Sequence, residues 1–223
     1  MPAYQNVFFD LDGTLTDSKE GIIKAAAYAL QCYGIAVPDL DMLSFFIGPP
    51  LLETFKESYG FSHEDAVGAT LKFRDYYGET GKFENRVYDG VTEMLQLLRA
   101  QGCRLSVATS KPYPLALDIL DHFGLLDYFD FVAGALEFSR LRKDEVVAYA
   151  LQKLQVTDPA TVLMVGDRKH DVVGARACGM DALGVLYGYG SRAELTGAGA
   201  TALAETPREV YQYIINPLSN HQK

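Results

Sequence analysis

Five short apolar runs punctuate the chain, and each ends in polar or small residues. Val7-Phe8-Phe9 leads into Asp10, and Leu105-Ser106-Val107-Ala108 leads into Thr109. Phe129 to Ala135 is a third run, weakened by Asp130. Thr161-Val162-Leu163-Met164-Val165 leads into Gly166-Asp167, and Ala182-Leu183-Gly184-Val185-Leu186 leads into Tyr187. Apolar runs this short predict strands buried on both faces.

Helical patterns lie between them. Val91, Met94, Leu95 and Leu98 form a stripe at helical spacing that Gly102 stops. Val147, Ala150, Leu151 and Leu154 form another, and Ser191-Arg192-Ala193-Glu194 reads as a capping box. Strands alternating with helices predict right-handed crossovers, hence an α/β fold with a parallel sheet and helices on both faces.

From about residue 16 to 83 the alternation breaks. Ile22, Ile23, Ala26 and Leu30 share one helical face, and Ser62-His63-Glu64-Asp65 looks like a helix start. Gly48-Pro49-Pro50 must be a turn. The expected organisation is a core of residues 1–15 and 84–223 with an inserted α-helical cap of residues 16–83. Extra helices of one large domain are the alternative, and the insert's start directly after a strand's polar end favours a cap. The last residues, Asn220 to Lys223, are expected to fray.

Composition narrows the partners. Hydrophobic residues at 48% and charged residues at 22% describe a globular chain. A net charge of −9 opposes wrapping of nucleic-acid polymers or anionic membranes, whose phosphates it repels. Cys32, Cys103 and Cys178 form no Cys-x-x-Cys pair, so buried, reduced thiols of a cytosolic protein are expected. Neither a secretory pattern at the start nor a bilayer-length apolar run is present, which points to a cytoplasmic protein. A monomer or homodimer acting on a small molecule is expected.

Asp10-Leu11-Asp12-Gly13-Thr14-Leu15 is the most informative segment. In an open parallel sheet, ligands bind beyond the carboxyl ends of the strands, and Asp10 falls at such an end. Asp12 can approach the same space, and two crowded carboxylates repel, so a cation should relieve them. Hard oxygen ligands favour Mg²⁺. A calcium loop is a rival, but its twelfth position would be Gly21 instead of Glu, and no glycine stands at its sixth. A surface acidic turn is the bland alternative.

Gly166-Asp167-Arg168-Lys169-His170-Asp171 places a second acidic pair at another strand end. Asp171 serves equally as an acid at a helix N-terminus. Asp10 and Asp167 together make a metal site if their strands are neighbours. Thr109-Ser110-Lys111 could hold phosphate oxygens, or its hydroxyls could simply cap a helix. Lys143, near a predicted helix start, could neutralise phosphate charge or be solvated surface.

Taken together, these motifs resemble those of the haloacid dehalogenase superfamily. Its Asp-x-Asp-x-Thr motif matches Asp10, Asp12 and Thr14. Its Ser or Thr after a strand matches Thr109, with Ser110 the next candidate. Its helix-opening Lys matches Lys143, although many relatives have Lys-Pro there and this chain has Lys143-Asp144. Its acids after the last core strand match Asp167 and Asp171.

The resemblance implies a Rossmann-like core with a helical cap and a phosphatase mechanism. Asp10 would be the nucleophile, Asp12 the general acid and base, and Thr109 and Lys143 the stabilisers of the phosphoryl oxygens. Thr14, Ser110 and Lys111 would contact substrate. Mg²⁺ would be held by Asp10, the carbonyl of Asp12 and Asp167, with Asp171 acting directly or through a metal-bound water. An acid at position 12 argues against dehalogenation, since a halide leaving group needs no proton. Phe45, Gly48, Pro49, Arg74 and Tyr76 are candidate cap contacts, although aromatic residues in a small helical cap usually form its core. The chain is similar to the phosphoglycolate-phosphatase-like branch. Val87 to Val91, Ala108 to Pro112, Gly166 to Ala175 and Gly184 to Ser191 bring it closer to bacterial 5′-nucleotidases.

Overall fold

A computed structural model describes residues 4–136 and 142–216. The chain end expected to fray, Asn220 to Lys223, lies outside the described residues. In chain order the elements are β1 (Asn6–Phe9), β2 (Thr16–Asp17), α1 (Lys19–Cys32), α2 (Leu51–Tyr59), α3 (His63–Tyr76), β3 (Arg86–Val87) and α4 (Val91–Ala100). There follow β4 (Arg104–Pro112), α5 (Tyr113–His122), β5 (Phe131–Ala135), α6 (Lys143–Lys153), β6 (Val162–Gly166) and α7 (Lys169–Ala177). The last are β7 (Asp181–Val185), α8 (Arg192–Ala198), β8 (Ala202–Ala204) and α9 (Pro207–Ile215). Two compact units result: residues 1–17 with 87–223, and residues 18–86.

The first unit is built on a six-stranded parallel sheet in the order β5-β4-β1-β6-β7-β8. Side chains alternate across it. Val7, Phe9, Leu105, Val107, Leu163 and Val165 face one core, with Leu95 and Leu98 of α4, Ile119 of α5 and Val210 and Ile214 of α9. Phe8, Ala108, Val162 and Met164 face the other, with Val146 and Val147 of α6, Val172 of α7 and Leu195 of α8. Helices therefore cover both faces, as continuous apolar strands require. Burial of each such side chain contributes roughly 1.5–3 kcal/mol.

Two features modify the expected elements. Strand β4 extends past Ala108 through Thr109, Ser110 and Lys111, with irregular pairing to β5 before Pro112. The cap of α5 is then Pro112, which has no side chain to donate or accept, so the hydroxyls of Thr109 and Ser110 do not cap that helix. Strand β8 is an edge of only three residues, Ala-Leu-Ala.

The second unit is helical. Buried Ile22, Ile23, Ala26 and Leu30 line α1, and Ser62 caps α3 by accepting the Asp65 N–H. Gly48-Pro49-Pro50 turns the chain before α2, with Gly48 in the left-handed region at φ 104°. An aromatic cluster of Phe46, Phe55, Tyr59 and Phe61 fills part of this unit. Of the thiols expected to be buried, Cys103 is, Cys178 is half-buried, and Cys32 is exposed. Cys32 ends α1, outside the buried stripe that closes at Ala29 and Leu30. No helix among the described residues is long and apolar enough to cross a membrane.

Candidate active site

Strands β1 and β6 are adjacent and parallel, with Phe9 opposite Val165. Asp10 and Asp167 therefore leave the sheet side by side at its carboxyl edge, and the Asp10 N–H donates to the Val165 carbonyl at 2.9 Å. One carboxylate oxygen from each of Asp10, Asp167 and Asp171 lies within 4.8 Å of the others, and all three residues are buried. Gly13 makes this crowding feasible. Its φ is +81°, and a Cβ there would overlap the Asp167 carboxylate.

Lys143 is the first residue of α6 and enters the same cluster. Its ammonium stands 2.9 Å from Asp10 Oδ1 and 2.7 Å from Asp171 Oδ1, and it donates to the Ala108 carbonyl at 3.1 Å. The residue is only 6% exposed, so the solvated-surface alternative does not hold. Asp171 has two duties: Oδ2 accepts the Arg168 N–H at 3.0 Å and caps α7, while Oδ1 faces Lys143. The helix-start reading of Asp171 and the cluster reading are thus both realised.

Three buried carboxylates around one ammonium leave two negative charges that Lys143 does not balance. Burial pushes the Asp10 carboxyl up to about 6, with Lys143 opposing and Asp171 adding to the rise. Burial, then the charges of Asp171 and Asp10, hold the Asp167 carboxyl well above its ordinary value. Burial alone would favour a neutral Lys143, but Asp10 and Asp171 outweigh it and hold the ammonium more firmly protonated than usual. A buried all-oxygen donor set with surplus negative charge suits a hard divalent cation.

The remaining candidates are placed as follows. The Lys111 ammonium donates to Asp12 Oδ2 at 2.7 Å, and that carboxylate is 23% exposed. Thr109 is buried, and its hydroxyl oxygen accepts the Lys111 N–H at 3.2 Å. Ser110 is exposed. Thr14 is fully buried and donates its hydroxyl to Asp167 Oδ1 at 3.4 Å. In the helical unit, Gly48, Pro49 and Arg74 are exposed, and Phe45 stacks on Phe46 with ring centroids 4.9 Å apart. Tyr76 donates to Glu84 Oε2 at 3.0 Å.

Residues 7–185 match the family model described as haloacid dehalogenase-like hydrolase. The chain belongs to the haloacid dehalogenase-like hydrolases. Within that family it is 44% identical over 193 residues to a 5′-nucleotidase of Pseudomonas aeruginosa, covering 86% of this chain and 87% of the relative. It is 45% identical over 188 residues to the tyrosine-protein kinase PtkA of Mycobacterium tuberculosis, 83% of this chain but 63% of that longer protein. A phosphoglycolate phosphatase of Vibrio vulnificus is 31% identical over 191 residues, 82% of this chain and 84% of that relative. The crystal structure of a predicted phosphatase from Clostridium acetobutylicum superposes with a TM-score of 0.89 at 43% identity, covering 96% of this chain and 99% of that one. This haloacid dehalogenase-like hydrolase is a phosphatase of the family.

Gly184 to Ser191 entered only as a family likeness with no place in the site, yet its β7–α8 loop reaches this cluster. The Tyr189 N–H donates to Asp167 Oδ2 at 2.8 Å. The capping box expected at Ser191 forms only half. Ser191 accepts the Glu194 N–H at 3.1 Å, while the Glu194 carboxylate accepts from Arg168 Nε and the Lys169 N–H, both at 2.9 Å. A charged partner and a helix-end N–H of α7 outcompete the local reciprocal bond. The signal for the loop was Tyr187-Gly188-Tyr189-Gly190 itself, where small residues directly after a strand end permit close backbone approach.

Proposed function

We propose that the chain is a Mg²⁺-dependent phosphomonoesterase of small phosphorylated metabolites, with nucleoside 5′-monophosphates as its preferred substrates. The observation that carries this reading is the buried Asp10, Asp167 and Asp171 cluster with a second carboxylate, Asp12, two residues beyond Asp10. Mg²⁺ fits the donor set and would be held by the Asp10 carboxylate, the Asp12 carbonyl and Asp167, with Asp171 acting directly or through a water. When bound it supplies Lewis-acid charge that lets an anionic nucleophile approach an anionic phosphate.

The chain's own groups carry the rest. An Asp10 oxygen attacks phosphorus while the bond to the leaving oxygen breaks, and Asp12 gives that oxygen a proton. Water then attacks the aspartyl-phosphate, Asp12 takes the water's proton, and inorganic phosphate leaves with Asp10 restored. Lys143 and Thr109 stabilise the phosphoryl oxygens, where charge concentrates during transfer, and Ser110 contacts substrate. Lys111 keeps Asp12 oriented in the resting enzyme and contacts substrate once it binds. The helical unit, residues 18–86 and not the 16–83 expected from the sequence, selects substrate, with Gly48 and Arg74 as contacts. This reading places the enzyme in the cytoplasm, as a monomer or homodimer.

The nucleotide preference is supported by the 44% identical 5′-nucleotidase. The test is a comparison of kcat/KM for nucleoside 5′-monophosphates, phosphoglycolate, sugar phosphates and phosphotyrosine, each with Mg²⁺ and with EDTA. Nucleotides are expected to lead, and EDTA to abolish turnover. Phosphoglycolate leading by orders of magnitude would replace the nucleotide assignment. Turnover that survives EDTA would remove the metal.

The raised carboxyls give a second test that needs no substrate. A carboxyl whose pKa is raised on folding contributes stability below its unfolded value of about 4 and loses that contribution as pH rises through its folded value. For Asp10 the folded value is about 6, and for Asp167 it is also raised. Metal-free protein should therefore shed stability from this cluster as the pH rises, whereas a bound cation holds the carboxylates ionised without that loss. The gap in thermal midpoint between Mg²⁺-loaded and EDTA-treated protein is expected to widen from about pH 5 to about pH 7.5. A gap independent of pH would mean that the cation sits elsewhere.

A further inference from the structure

The loop between β7 and α8 makes three hydrogen bonds to residues that follow β1 and β6, all within the sheet-containing unit. Tyr187 donates its hydroxyl to the Thr14 carbonyl at 3.2 Å. Thr14 in turn donates to Asp167 Oδ1, and Asp167 Oδ2 accepts the Tyr189 N–H. Tyr189 also donates its hydroxyl to Asp17 Oδ1 at 2.9 Å, in β2. The two glycines make the approach possible. A Cβ at residue 188 would overlap the Gly13 carbonyl and the Asp167 side chain, and one at residue 190 would overlap the Asp167 carbonyl.

We propose that Tyr187-Gly188-Tyr189-Gly190 is a positioning clamp for the metal-ligating carboxylate, with Tyr189 holding Asp167 against the turn that follows Asp10. The inference rests on the metal reading above. A buried carboxylate with free rotamers would have to be ordered each time a cation bound, and its repulsion from Asp10 would turn it away between times. Here both Asp167 oxygens are tied, one by a backbone donor from the loop and the other by a hydroxyl whose own backbone the loop holds. The Tyr189 hydroxyl anchors the far side of the loop at Asp17, so the N–H cannot swing off Asp167 without breaking a second bond. One Asp167 oxygen stays within 4.8 Å of carboxylate oxygens of Asp10 and Asp171. The loop's hydrogen bonds go to Asp167, Thr14 and Asp17, so its effect on the site passes through Asp167.

Isothermal titration of the full chain with MgCl₂ alone, without substrate, tests the clamp. Relative to wild type, Gly190→Ala is expected to weaken Mg²⁺ binding about 10–100-fold, the usual cost of disturbing an outer partner of a metal ligand. Tyr189→Phe keeps the N–H but frees the loop from Asp17, and is expected to weaken binding about fivefold. In turnover, the Mg²⁺ concentration for half-activation should move by the same factors, and by more than KM for p-nitrophenyl phosphate measured at saturating metal. Unchanged Mg²⁺ isotherms beside a lowered thermal midpoint in EDTA would mean that the loop merely supports the fold, and would overturn the clamp alone. Wild-type protein that binds no Mg²⁺ would overturn the metal reading and the clamp together. Should Gly190→Ala fail to fold, the Tyr189→Phe isotherm decides.

Discussion

Asp10→Asn is expected to reduce phosphate release by at least about ten-thousand-fold, the scale on which enzymes lose turnover when a nucleophile is removed. The amide keeps the side chain's shape but offers no anionic oxygen to attack phosphorus. Its effect on the fold should run the other way. Asp10 is one of three buried carboxylates, and its ionisation is opposed first by burial and then by Asp171. Replacing it with a neutral amide removes part of the crowding that Lys143 does not balance. In EDTA near neutral pH the variant should therefore unfold at the same temperature as wild type or above it, and Mg²⁺ should stabilise it less. Circular dichroism establishes the fold, and a malachite-green assay reads phosphate release. Turnover within tenfold of wild type would remove Asp10 as nucleophile, whatever happened to stability.

The sheet was legible because both of its faces are covered. Runs such as Val7-Phe8-Phe9 and Thr161 to Val165 need no alternation, and their polar ends mark where the chain turns away. Strand order was not legible. That β1 lies beside β6, which brings Asp10 and Asp167 together, follows from pairing between segments over 150 residues apart, and no local pattern encodes it. Strand β8 escaped because Ala-Leu-Ala is short, weakly β-forming and at an edge. The extension of β4 through Lys111 escaped because Thr-Ser-Lys-Pro carries the composition of a loop or helix cap.

Within the site, charge was easier to read than geometry. The acids at strand ends stood out, whereas Lys143 was weak in isolation, because a lysine near a helix start is as readily solvated surface. That Lys111 engages Asp12, and that Thr14 is buried under Asp167, depended on directions of side chains that spacing does not encode. Tyr189 was the hardest to find, because its contact with Asp167 is made by a backbone N–H that every non-proline residue possesses. Only the glycines on either side of it hinted that backbone approaches something closely.

Lys143→Met tests the other half of the electrostatic argument. Methionine retains most of the apolar stem but removes the ammonium that pairs with both Asp10 and Asp171. Breaking a buried ion pair by deleting one partner costs about 3–5 kcal/mol, because the other charge is left buried without compensation. Here two carboxylates lose their partner at once, so the loss should fall in that range at about pH 7.5 in EDTA. Its pH dependence follows from sign. With Lys143 present the Asp10 carboxyl is already raised to about 6. Without it the folded value rises further, so the variant keeps its full stability only below the unfolded value of about 4 and loses it as pH climbs. The deficit measured by urea unfolding should therefore shrink as the pH falls from about 7.5 toward 5, and saturating Mg²⁺ should recover part of it at the higher pH. Turnover should drop by about a hundred- to a thousandfold even at saturating metal, since phosphoryl charge loses a fixed donor. A deficit equal at both pH values would show that Lys143 supports the fold by packing alone. It would also separate the lysine from the carboxylates it touches.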